Sequence, residues 1–271
     1  MRYVAYIDTL GFKNLISRGS HSDAVATIKL FNQTIYNLWR EQSLDGYNSI
    51  RGRTFSDSII IHTENDSNEQ LSRLLMFILK LYKKSIIECD LPLRGGLAFG
   101  EYDDIKAVEF DNLAKGLIVG TAFVESYLLE SSNNIKGSKL LLGQEVKLKI
   151  ESLNNNSYKL SKVKTTTDGR NIYELIWGNL EFLVENNYSA LKKFIKLATS
   201  SKWIEHYYGT LETFLVNESS DDKNEIYTRI IRELKGNYKY SDLDNFIENY
   251  LKSENAIHTK KSFLAFIRDK I

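Results

Sequence analysis

Tyr3-Val4-Ala5-Tyr6-Ile7-Asp8-Thr9-Leu10-Gly11-Phe12 and Arg53-Thr54-Phe55-Ser56-Asp57-Ser58-Ile59-Ile60-Ile61 decide how this chain reads. Each is a short apolar segment of strand character with one aspartate at its edge. The first ends in Asp8 before a Gly-Phe turn. The second is a hairpin that turns at Ser56-Asp57 and returns through a β-branched run into a buried sheet. Taken singly, Asp8 reads equally well as the cap of the next turn, and Asp57 more readily as the polar tip of a hairpin. Taken together, they can meet on neighbouring central strands, where two hard cations would bind between them and a triphosphate.

Working outward, Ser22 or Asp23 can cap a helix carrying Val25, Ile28, Phe31, Ile35, Leu38 and Trp39 at helical spacing. A second helix is expected over residues 69–88, with Leu71, Leu74, Leu75, Ile78, Leu81 and Tyr82 on one face. Residues 93–102 read as a strand interrupted by Gly95, Gly96 and Gly100, a cluster that suggests close backbone approach. Residues 105–110 are its expected hairpin partner. A third helix is expected over 120–131 and a strand over 139–142. Asp168-Gly169 marks a hairpin turn between 159–163 and 172–176. Helices between strand pairs predict an α+β sandwich of the ferredoxin-like kind over residues 1–178. Beyond Gly178 only helical spacing remains, so residues 179–271 are expected to form an all-helical appendage, with its last helices around 224–235, 241–252 and 260–270.

Lys plus Arg total 36 against 35 Asp plus Glu, a formal charge of +1, so no strong field argues for a nucleic-acid or membrane binder. The single cysteine, Cys89, excludes an intramolecular disulfide and disfavours a thiolate metal cluster. His21, His62, His206 and His258 are too scattered to form a ligand set. No leader precedes the first strand, and no apolar run approaches the ~20 residues needed to span a bilayer. A soluble cytoplasmic protein is expected.

Residues 3–176 resemble the catalytic domain of the class III nucleotidyl cyclases. Four pieces carry the resemblance, in order: Ile7-Asp8-Thr9-Leu10-Gly11-Phe12; Phe55-Ser56-Asp57-Ser58-Ile59; Arg94-Gly95-Gly96-Leu97-Ala98-Phe99-Gly100-Glu101; and Gly120-Thr121-Ala122-Phe123-Val124-Glu125-Ser126-Tyr127-Leu128-Leu129-Glu130-Ser131. The resemblance implies that Asp8, Asp57 and the Thr9 carbonyl hold two Mg²⁺ or Mn²⁺ ions. These would activate the ribose 3′-hydroxyl for in-line attack on the α-phosphorus, closing a 3′,5′-cyclic nucleotide and releasing pyrophosphate. Amides of Leu10, Gly11, Phe12 and Lys13 would face the β- and γ-phosphates. A homodimer with two composite sites is implied as well.

The departures from that pattern are specific. Val124 and Leu128 occupy positions where the family carries Asn and Arg on successive helical turns. Arg53 and Leu117 stand where adenine-reading members carry Lys and Asp. Lys162 or Lys164, on the late hairpin, is the candidate phosphate-binding lysine. Arg94, Glu125 and Tyr127 are weaker site candidates. Arg53 offers donors only, which suits the carbonyls of uracil or guanine better than the amino groups of adenine or cytosine. The chain most resembles the divergent bacterial cyclases of the Pycsar antiphage systems, which make cyclic UMP or cyclic CMP for a separately encoded effector. UTP is therefore the first expected substrate. The competing readings are an inactive cyclase-like nucleotide sensor and a palm-type polymerase making cyclic di- or oligonucleotides. The polymerase reading ranks lower because the adjacent acidic pair at its hairpin is missing.

Overall fold

In a computed structural model of the chain, the residues described are 1–12, 16, 20–44, 49–106, 116–132, 134–193 and 204–219, with seven positions between 221 and 229. Lys13, the expected helices at 241–252 and 260–270, and most of that at 224–235 lie outside the described residues. The chain divides into two compact units, Met1–Asn133 with Leu140–Leu175, and Asn134–Lys139 with Ile176–Ile271.

The first unit runs β1 (Arg2–Thr9), α1 (His21–Leu44), β2 (Ile50–Phe55), β3 (Ser58–Thr63), α2 (Asn68–Cys89), β4 (Leu93–Gly100), β5 (Asp103–Lys106), β6 (Gly116–Val119), α3 (Thr121–Glu130), β7 (Leu140–Gly143), α4 (Gln144–Ser152), β8 (Leu160–Thr165) and β9 (Asn171–Leu175). Seven strands form one sheet in the order β2-β3-β1-β4-β7-β9-β8, and β5 and β6 make a separate ribbon. All pairings are antiparallel except β4 with β7. The fold is α+β, and its first four strands with α1 and α2 reproduce the ferredoxin-like βαββαβ pattern.

The two faces of β1 explain the layers. Tyr3, Ala5 and Ile7 are buried on one side. That side is covered by α2, whose Leu71, Leu74, Leu75, Ile78, Leu81 and Tyr82 recur at three and four and are all buried. Ser67 caps this helix by accepting from the Gln70 amide. Helix α1 packs outside α2, with the Trp39 and Phe77 rings 4.8 Å apart. On the opposite side, Val4, Ile60, Tyr102 and Ala122 form a core cluster joined by Tyr6, Ile118 and Phe123. Helix α3 covers that side.

Two features depart from the sequence expectation. β5 (Asp103–Lys106) pairs with β6, a four-residue strand too short to show alternation, and residues 107–110 of the expected hairpin partner lie outside the described residues. Helix α4 was also not anticipated. Its sequence, QEVKLKIES, buries only Val146 and Ile150 and carries little periodic signal.

In the second unit, Trp177, Phe182 and Phe214 form a ring cluster, with Trp177 5.9 Å from Phe182 and 5.2 Å from Phe214. The Trp177 indole donates to the Ser138 carbonyl at 2.7 Å, and the Ser138 amide donates to Thr210 Oγ1 at 2.8 Å. These bonds tie Asn134–Lys139 to α5 (Leu180–Glu185) and α6 (Ile204–Leu215). Among the described residues this unit contains no strand. No described helix is long and apolar enough to cross a membrane.

Gly96 sets how closely α3 approaches the sheet. A Cβ there would lie 2.0 Å from the Ser126 carbonyl oxygen and 2.7 Å from Leu129 Cβ. Because the first of these is backbone, Gly96→Ala should destabilise the protein by about 2 kcal/mol or more. A urea titration followed by circular dichroism should show a lower midpoint, and an unchanged midpoint would contradict this packing.

Candidate active site

Asp8 ends β1 and stands opposite Ser58 of β3 on one side and Arg94 of β4 on the other. Asp57 lies in the two-residue turn joining β2 to β3, where Ser56 takes a left-handed φ of 52°, a strained choice for a non-glycine residue. The turn folds onto the end of β1. The Thr9 amide donates to the Asp57 carbonyl at 3.2 Å, and Thr9 Oγ1 donates to Asp57 Oδ2, also at 3.2 Å. Tyr6 donates through its hydroxyl to Ser58 Oγ at 3.2 Å, and Ser58 donates to Asp8 Oδ1 at 2.6 Å. The strand register thus brings Asp8, Thr9 and Asp57 together, as the sequence predicts.

The electrostatics are those of a half-buried acid pair. Burial raises the Asp8 carboxyl above its ordinary pKa and Asp57 raises it further, while the Ser58 hydroxyl, the Thr9 backbone and Arg94 pull it back. A third acid lies nearby. Glu130, at the end of α3 and 8% exposed, is 2.8 Å from the Arg94 Nε. Burial pushes Glu130 up to about 7, with Asp8 and Asp57 adding to the rise and Arg94 opposing it. Glu130 is the nearby acid that sequence reading missed; the Glu-Ser helix end was its only mark.

The other predicted residues are distributed less simply. Gly11 has a φ of 91°, which lets the chain turn out of β1 without a Cβ penalty. The Leu10 amide is committed to the Pro92 carbonyl at 2.8 Å, so the phosphate-facing amides foreseen for that turn begin at Gly11. Phe12 follows, half-buried. Arg53 on β2 pairs with Asp104 of β5 at 2.5 Å, both side chains being largely covered. Sequence reading missed Asp104 as well. Leu117 on β6 is 53% exposed and lies opposite Ile105, next to Asp104.

Lys164 is not brought to the aspartates. It sits on β8, four strands from β1, which places it roughly 19 Å away across the sheet. The β8–β9 hairpin borders instead an open cavity of about 1190 Å³. Val124, Glu125 and Leu128 of α3, with Gln144, Arg170 and Asn171, line that cavity, and neither aspartate does.

The donor set suits a hard divalent ion. Two half-buried carboxylates share one end of the sheet, and each is already oriented by a hydroxyl. Among the described residues no third His, Cys, Asp or Glu completes a protein-only cage. A hard divalent cation held by two carboxylates draws its further oxygens from water and phosphates.

No protein-family model and no curated protein matches the sequence. Among solved structures, the chain is similar to the guanylyl cyclase domain of the RhoGC fusion protein from Blastocladiella emersonii, with a TM-score of 0.46 and 17% identity over 65% of this chain and 93% of that one. It is similar also to the adenylyl cyclase CyaB from P. aeruginosa, with a TM-score of 0.48 and 13% identity over 65% and 93% of the two chains. A bacterial light-regulated adenylyl cyclase gives a TM-score of 0.48 and 11% identity over 71% and 97%.

Glu130 makes the stability of the metal-free protein pH-dependent in a definite direction. Its folded-state pKa lies above the ordinary 4.5 of a glutamate, at about 7, so the folded state holds the proton more tightly. Stability then falls as pH rises from about 4.5 and levels off above about 7. Glu130→Gln should remove this component, about 3 kcal/mol at full span. Urea unfolding with chelator at pH 5 and pH 8 measures it, and equal slopes for the two proteins would contradict the burial of that charge.

Proposed function

We propose that this chain is a metal-dependent nucleotidyl cyclase that converts a pyrimidine nucleoside triphosphate, UTP first, to its 3′,5′-cyclic monophosphate and pyrophosphate. The observation that carries the reading is the meeting of Asp8 and Asp57 at one end of β1, with Ser58 bonded to Asp8 and Thr9 to Asp57. Asp8, Asp57 and the Thr9 carbonyl would hold two Mg²⁺ or Mn²⁺ ions, which supply Lewis-acid activation of the 3′-hydroxyl and charge neutralisation of the triphosphate. The chain's own contribution is orientation. The Tyr6–Ser58 hydroxyl pair fixes one oxygen of Asp8, and Thr9 fixes one of Asp57. The Gly11 turn lets backbone amides approach phosphate oxygens.

Arg53 and Asp104 would face the base. Together they offer donors and an acceptor in one place, so base choice depends on which edge the pair leaves free. Two features support a homodimer with shared sites. Val124, Tyr127 and Leu128 on α3, with Leu117 and Val119 on β6, expose apolar surface, the kind that marks a partner interface. The cations of the β8–β9 hairpin lie far from the aspartates of the same protomer, and a two-fold pairing could present them to the partner's. Under this reading the product serves as a second messenger for a separately encoded effector in antiphage defence.

A second reading, a nucleotide sensor without turnover, is favoured by one observation. Val124 and Leu128 point outward at 53% and 61% exposure and can donate to no phosphate.

Incubation with each of the four NTPs and Mn²⁺, followed by mass spectrometry, separates the two. Cyclic UMP with stoichiometric pyrophosphate is expected, whereas binding without product would establish the sensor. Asp57→Asn should lower kcat on the order of 10³-fold, or about 4 kcal/mol of barrier, with the circular dichroism spectrum unchanged; full activity would remove Asp57 from the mechanism. Arg53→Ala should shift the relative rates among the four NTPs by roughly tenfold while leaving the Mn²⁺ dependence unchanged. Unchanged relative rates would show that Arg53 does not read the base.

A further inference from the structure

Asp8 and Arg94 are directly opposed across the β1–β4 pair, so their side chains project from the same face of the sheet. Opposed residues in antiparallel strands have Cβ atoms about 4.5–5.5 Å apart, well within reach of a guanidinium fork. Arg94 carries a permanent charge and five donors, and arginine–carboxylate pairs are among the strongest side-chain contacts. Left to itself, Arg94 would close on Asp8. Yet no ion pair joins them: the Nε of Arg94 is 2.8 Å from Glu130.

The reason lies in how α3 rests on β4. Ser126 lies over Gly96, whose missing side chain lets the helix backbone touch the strand. One helical turn after Ser126 comes Glu130, and two residues before Gly96 comes Arg94. A turn advances about 5.4 Å and two strand residues about 6.7 Å, so with α3 antiparallel to β4 the two side chains arrive together. Glu130 is therefore delivered to Arg94 by the same contact that Gly96 permits.

We infer that Glu130 is a positioning residue: by holding the Arg94 guanidinium, it keeps the Asp8 carboxylate open to a divalent cation and so sets the metal affinity of the Asp8–Asp57 pair. The inference rests on the reading of those two aspartates as metal ligands. A carboxylate engaged by an arginine must surrender that partner before it can bind metal. Glu130 removes the competition in advance, so the charge of the aspartates is not taken up by Arg94. A pair serving only to pin α3 to the sheet would give a different pattern, because then loss of either member would act through stability and leave the carboxylates as available as before.

Mn²⁺ binding to the full chain without nucleotide, followed by the electron paramagnetic resonance signal of free Mn²⁺, tests this. Glu130→Gln should bind Mn²⁺ at least tenfold more weakly than wild type. Adding Arg94→Gln to it should restore affinity to within threefold, and Arg94→Gln alone should bind at least as tightly as wild type. A Glu130→Gln affinity within threefold of wild type, or a double variant as weak as the single, overturns the inference. Should Glu130→Gln fail to fold, Arg94→Gln decides, since a tenfold loss there means that Arg94 supports the site. Asp57→Asn separates this outcome from failure of the metal reading. If wild type binds no better than Asp57→Asn, both readings fall; if Asp57→Asn loses binding and Glu130→Gln does not, only the role of Glu130 falls.

Discussion

Two like charges held at one end of β1 are the constraint on which the site depends. Asp8 and Asp57 would separate if free to do so, because like charges repel and Asp57 raises the cost of ionising Asp8. The β1–β3 register prevents it. Pairing Ile7 with Ile59 and Asp8 with Ser58 leaves the β2–β3 turn no place except over the end of β1, and Thr9 then takes both an amide and a hydroxyl contact to Asp57. A slip of one residue would send Asp8 to the face occupied by α2 and bury it among leucines. The apolar core thus enforces an arrangement that the carboxylates alone would refuse, and the core's stability supports the strain.

Helix α3 links that core to the charge balance. Its inward residues, Ala122, Ser126, Leu129 and Glu130, are buried, while Val124 and Leu128 face outward. One side closes the sheet and brings Glu130 to Arg94. The other lines a wide cavity together with α4 and the β8–β9 hairpin. A helix apolar on both sides is satisfied only when something covers the outer one.

Much of this was legible in the sequence. The alternation around Tyr3–Asp8 and the β-branched run after Asp57 specify strands, and strand order alone places the two aspartates side by side. The helical spacing of Leu71 to Tyr82 specifies α2. Helix α4 stayed hidden for want of periodicity, and the missed site residues because they depend on pairings across long stretches of chain. Arg53 and Asp104 are 51 residues apart, and Asp104 sits in a ribbon strand whose four residues show no period. Glu130 is visible as a helix-ending acid, but its partner is fixed by the missing Cβ of Gly96 in another element. The lysine foreseen as a phosphate ligand, Lys164, illustrates the converse: its strand was found, but its place four strands from β1 follows only from the sheet order.

That separation bears on how any triphosphate could be neutralised. Near the aspartates of one protomer, Arg94 is already held by Glu130 and Arg53 by Asp104, so neither is a ready counter-charge for phosphate oxygens. Divalent cations on Asp8 and Asp57 would offset part of the charge, and the amides of the Gly11 turn add dipoles. On the proposed homodimer, part of the remaining counter-charge would come from cations that, among the described residues, a single copy keeps elsewhere in the sheet. Lys164 on β8 and Arg170 in the following turn are on the far part of the same sheet, and Arg170 shares a cavity with Val124 and Leu128 of α3. Covering that face with a second copy would meet the demand for buried apolar area and the demand for cations at once, and one two-fold contact would supply both sites symmetrically.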